Sequence, residues 1–117
     1  MKLLVTALAL ALTATAAAPS MVWAASFDCN RARAPDEKAI CANLALNDKD
    51  VRMAVLYDIN RKTLAMGGRS ALEDQQRQWL RDRRGCGAQR ACLNRSYDRR
   101  LGELERSMER IYSNGPF

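Results

Sequence analysis

Four cysteines, no histidine and a crowd of arginines set the chemistry available to this chain. Cys29 and Cys41 stand close together, as do Cys86 and Cys92. Thiols spaced this way can bind metal, shuttle electrons or form structural disulfides. Zinc sites and redox centres usually use a C-x-x-C, which is absent here. The absence of histidine removes the commonest general base and the commonest metal ligand together. No G-x-S-x-G and no phosphate loop is present. Carboxylates occur as Glu73-Asp74 and Glu103/Glu105, at spacings that suit solvated helix faces. Two acids acting on a glycoside must instead face each other across a cleft. The expectation is therefore no enzyme, no cofactor, no metal and two disulfides.

Four cysteines allow three pairings. Chain geometry favours Cys86 with Cys92, because one ends a helix, the other opens the next, and a glycine-containing turn lies between. Cys29 with Cys41 then ties an extended N-terminal segment to a first short helix. Disulfides persist in oxidising compartments, and the first residues agree. Lys2 precedes an apolar run from Leu3 to Ala18, broken by Pro19 and Ser20, and Val22-Trp23-Ala24 offers small residues for cleavage. This reads as a signal peptide over residues 1–24 and one domain over 25–117, periplasmic or secreted, with no transmembrane span after cleavage. A lipoprotein leader would put small residues and a leucine before its cysteine, whereas Cys29 follows Ser26-Phe27-Asp28.

The elements that position these residues read as helices. Pro35 to Cys41 has proline at the helix start and Asp36 and Glu37 in the first turn, where negative charge meets the positive end of the dipole. A second helix is expected from about Asn47 to Met66, capped by Asn47 or Asp48 and ended by Gly67-Gly68. Leu46, Asp50, Met53, Tyr57 and Leu64 share one face. A third runs from Ser70, boxed by Glu73, to Arg84, with Leu72, Gln76, Trp79 and Leu80 inward and Gly85-Cys86-Gly87 as its stop. A fourth runs from about Arg90 to Tyr112. Its stripe of Leu93, Tyr97, Leu101, Leu104, Met108 and Ile111 is spaced 4, 4, 3, 4 and 3 residues. No segment alternates with the period of two that a strand needs. The fold class is all-α: a small disulfide-stapled bundle of three main helices and a short N-terminal one. The Met, Tyr and Trp residues read as core.

The ordered set Phe27-Asp28-Cys29, Glu37-x-x-Ile40-Cys41, Asp50, Tyr57, Gln76-x-x-Trp79-Leu80-x-x-Arg83-x-x-Cys86 and Cys92-Leu93-x-x-x-Tyr97-x-x-Arg100-Leu101 resembles the LprI-like lysozyme-inhibitor domain family. The resemblance covers nearly all of residues 25–117. It implies a small, all-helical exported domain, and the family's name points to a lysozyme as partner.

Charge on a core face must be paired. Glu37 or Asp50 is therefore expected to pair with Arg83 or Arg100 and fix helix register. Without Lys2, 18 Lys and Arg stand against 13 Asp and Glu, a net charge of +5. Arg81, Arg84 and Arg90, beside the expected Cys86–Cys92 staple, are the candidate contacts for a protein partner. An anionic lipid or cell-wall polymer is the alternative partner, since basic charge is drawn to such surfaces as well. Export argues against nucleic acid.

Overall fold

The structure, a computed structural model, describes residues 25–114; the expected signal peptide and the last three residues lie outside the described residues. Among the described residues there are four α-helices and no strand. A single 3-10 turn, Cys29–Arg31, leads into α1 (Pro35–Ala42). Then come α2 (Leu44–Thr63), α3 (Met66–Gly85) and α4 (Arg90–Ser113). No described helix is long and apolar enough to cross a membrane.

The all-α reading holds, and the helix ends show where it needed correction. Asn43 both ends α1 and caps α2, its side chain accepting from Leu46 N at 3.0 Å. This moves the start of α2 ahead of Asn47 and Asp48, and Asn47 is buried inside the helix. Gly67-Gly68 does not end α2, which stops at Thr63. Both glycines lie in the first turn of α3, and Ser70 is not its cap. Glycine's cost in a helix is backbone entropy, felt most in an interior, and these two stand in the first turn, whose N–H groups make no bond within the helix. The turn at Leu64-Ala65 also brings Gly68 close to the Leu64 side chain, which a Cβ there would meet at 3.4 Å.

The core forms where the stripes meet. Ile40, Leu46, Met53, Leu72, Trp79, Leu93, Tyr97, Leu101 and Leu104 belong to one buried cluster, and Met108 is buried further along α4. On α3 the buried line is Leu72, Gln76, Trp79 and Arg83. Leu80, expected inward, is 36% exposed. It follows Trp79 by one residue, about 100° around the helix, and so falls beside that line. Tyr57, Leu64 and Ile111 are half-buried.

Candidate functional site

Two arrangements of polar side chains stand out: a buried network between the helices, and a stapled cationic turn joining α3 to α4.

The network centres on Arg83. Its Nε donates to Asp36 Oδ2 at 2.9 Å, and its Nη1 donates to Tyr97 Oη at 3.3 Å and lies 3.7 Å from Asp50 Oδ1. Tyr97 Oη donates in turn to Asp50 Oδ1 at 2.8 Å, while Ser26 N donates to Asp50 Oδ2 at 2.6 Å. The guanidinium carbon lies 5.6 Å from the ring centroids of both Phe27 and Trp79, within cation–π range. Asp36, Asp50, Arg83 and Tyr97 are all buried. One cation on α3 thus ties together residues of α1, α2 and α4. A second chain runs beside it. Arg100 Nε donates to Gln76 Oε1 at 3.0 Å, Gln76 Nε2 donates to Met53 Sδ at 3.2 Å, and Arg100 Nη1 donates to Glu103 Oε2 at 3.0 Å.

The expectation that Glu37 or Asp50 pairs with Arg83 or Arg100 is met by Asp50, which lies 3.7 Å from Arg83, while Glu37 and Arg100 take other partners. Glu37 pairs with neither arginine. Its carboxylate accepts from Arg33 N at 3.2 Å and Ala34 N at 3.3 Å, closing the start of α1. Its neighbour Asp36 takes the place beside Arg83. Arg100 meets Gln76 and Glu103 rather than Glu37 or Asp50. One sequence signal could have found Asp36: it stands four residues before Ile40, and those two are the buried residues of α1. Enclosure commits Asp36 and Asp50 to the fold and keeps both carboxylates from a dissolved substrate.

Burial raises the Tyr97 pKa beyond the usual phenol range, and the Asp50 carboxylate raises it further; the Arg83 cation opposes both. Burial works against the charge on Arg83, but the Tyr97 and Asp36 contacts outweigh it and its pKa also rises. For Tyr97 the sign follows directly. Above about pH 10 the unfolded phenol ionises while the native one keeps its proton, so the native state binds more protons. Stability is fully present below about pH 10 and falls above it, by at most about 1.4 kcal/mol per pH unit from this residue. Urea midpoints measured through that range should fall more steeply for wild type than for Tyr97→Phe. Equal slopes would mean that Tyr97 ionises as readily in the native state.

The second arrangement begins where α3 ends. Disulfides join Cys29 to Cys41 and Cys86 to Cys92, with Cα–Cα distances of 5.8 and 5.5 Å. The second closes the turn between α3 and α4. Gly87, with φ of 55°, takes the left-handed conformation there, and its N–H donates to Arg84 O at 3.0 Å. Arg81, Arg84 and Arg90 are exposed around this staple. Arg81 Nη2 donates to Gln78 Oε1 at 2.7 Å, whereas the side chains of Arg84 and Arg90 make no hydrogen bond or ion pair among the described residues. The sequence reading missed Arg95 and Arg99. Both are exposed on α4 and line, with Asp82, Ser96 and the disulfide, an open pocket of about 290 Å³. Their separation of four residues, on the helix that Arg90 opens, was the available signal.

Comparison with known proteins gives one finding. Residues 29–114 match the family model described as lysozyme inhibitor LprI, and the chain belongs to that family. No curated protein and no solved structure matches it.

Proposed function

We propose that this member of the LprI family is exported and inhibits a muramidase by lodging its stapled α3–α4 turn in the enzyme's active groove. The observation that carries the reading is the pairing of rigidity with unspent charge. The turn is closed by Cys86–Cys92, and the Arg84 and Arg90 side chains beside it have no partner of their own among the described residues. Muramidases work with a pair of carboxyl groups in a groove. A cationic turn entering that groove meets those carboxylates and shuts out the glycan. A pre-closed turn loses little freedom on docking, which favours affinity. The leader read over residues 1–24 supports export, as do two disulfides.

Charge reversal tests the site. Arg84→Glu with Arg90→Glu should weaken inhibition at least about tenfold, the loss expected from replacing favourable charge pairs with repulsive ones. Thermal stability should hold, because both side chains are exposed and unpaired. Inhibition unchanged by the double reversal would move the contact elsewhere. A second reading, attachment to an anionic envelope surface, draws on the same free arginines together with Arg95 and Arg99. Salt separates the two: surface attraction fades steeply as ionic strength rises, while a shape-matched complex persists.

A further inference from the structure

One face of α2 carries a line of side chains that the fold leaves uncovered. Leu44 is 79% exposed, Val51 42%, Val55 53% and Ile59 38%. At about 100° per residue, all four fall within about 40° of the Val55 direction, in one stripe. Asp48 and Lys62, both exposed, fall in the same stripe. The flank toward α4 is closed by polar contacts, Lys49 Nζ to Asp98 Oδ1 at 2.6 Å and an Arg52–Glu105 pair. The stripe is therefore not an extension of the core.

Leu44 apart, whose counterpart position lies beyond the end of α2, its order along the helix is self-complementary. Val51 and Ile59 stand four residues either side of Val55. Asp48 and Lys62 stand seven residues either side, about 10 Å at the helical rise. Reversing the helix end for end about Val55 lays Val51 on Ile59, Val55 on Val55, and an acid on a base at each end. A two-fold interface requires this kind of pattern, in which one patch answers itself. An unrelated partner would place no such demand on the order of charges.

We propose that α2 of one copy packs antiparallel on α2 of a second copy, with Val55 at the two-fold axis and Asp48 of each chain against Lys62 of the other. Lys62 Nζ lies 2.6 Å from Asp58 Oδ2 within its own helix. Both groups are exposed, so that pair is easily exchanged for the new one. The apolar stripe covers a few hundred Å², short of the roughly 800 Å² per partner of a standard interface. The dimer is accordingly weak, with a dissociation constant on the order of 10–100 μM.

Sedimentation equilibrium of the purified, oxidised protein from about 10 μM to about 1 mM tests this. Wild type should pass from monomer to dimer across the range. Val55→Asp should raise the dissociation constant at least about tenfold while leaving circular dichroism unchanged. Asp48→Lys and Lys62→Asp should each weaken self-association several-fold, because each places like charges opposite one another twice. Mixing those two variants should restore it, since the mixed pair matches at both ends. A folding defect could not be rescued in that way. Under mild oxidation Val55→Cys should give a disulfide-linked dimer. A wild type that stays monomeric to about 1 mM overturns the proposal. So does a dimer that survives Val55→Asp, or a pair of charge variants that mixing fails to rescue.

Discussion

Replacing Arg83 with methionine should destabilise the protein by about 3–5 kcal/mol, the range expected when one partner of a buried ion pair is removed. The reason lies in what remains. Asp36 is 1% exposed and Asp50 0%, so both carboxylates would stay enclosed without their cation. Asp50 would keep the Tyr97 hydroxyl and Ser26 N as donors. Asp36 would lose the Arg83 Nε that now meets it at 2.9 Å. The methionine stem is apolar and of similar reach, so the loss reports charge and hydrogen bonds more than volume. Arg83→Lys should recover only part of it. A lysine ammonium is a point charge and cannot bridge Asp36, Asp50 and Tyr97 as the planar fork does, nor present a guanidinium face to Phe27 and Trp79. Adding Asp36→Asn to Arg83→Met should cost much less than the two single losses together, because the pair acts as a unit. Urea denaturation measures all of these variants. A loss under about 1 kcal/mol for Arg83→Met would mean that water reaches the network and solvates the carboxylates.

Trp79→Ala should cost a similar amount, about 3–5 kcal/mol, through a different cause. Trp79 is 4% exposed and its ring meets Tyr97 edge-on, with centroids 5.2 Å apart. Its Nε1 donates to Ser96 O at 3.1 Å, between α3 and α4. Alanine would open a cavity, remove one of the two rings facing Arg83, and take a donor from a buried carbonyl. Trp79→Phe keeps most of the volume and should lose less, leaving mainly the hydrogen bond. Small domains have total stabilities of about 5–10 kcal/mol, so the alanine variant should be largely unfolded on mild heating. An unchanged denaturation midpoint would place Trp79 outside the core.

These two residues show how far the sequence could be read. Trp79 was legible as core, because Leu72, Gln76 and Trp79 keep helical spacing on α3. The long stripe of α4 was legible for the same reason. Arg83 was legible as a cation in need of a partner and Asp50 as one that it meets, but Asp36, its nearer partner, was not. Asp36 and Glu37 are adjacent acids in one first turn, and composition gives no preference between them. The four-residue spacing from Asp36 to Ile40 favours Asp36, and the direction of α1 against α3 turns it inward with Ile40 while Glu37 closes the helix start. Gly67-Gly68 misled for a related reason. Glycine is a poor helix former in an interior, yet the chain bends just before them, at Leu64-Ala65, and then starts α3 through both glycines. The basic turn was visible as a cluster of arginines beside a cysteine pair. Which of them remain unpaired depends on neighbours, and Gln78 engages Arg81 while Arg84 and Arg90 stay free among the described residues.

The oxidised protein is expected to stop a muramidase. A titration of cell-wall lysis with the purified protein at up to micromolar excess, across several lysozyme classes and at moderate salt, measures this. At least one class should lose its activity stoichiometrically. All classes remaining fully active at that excess would contradict that expectation.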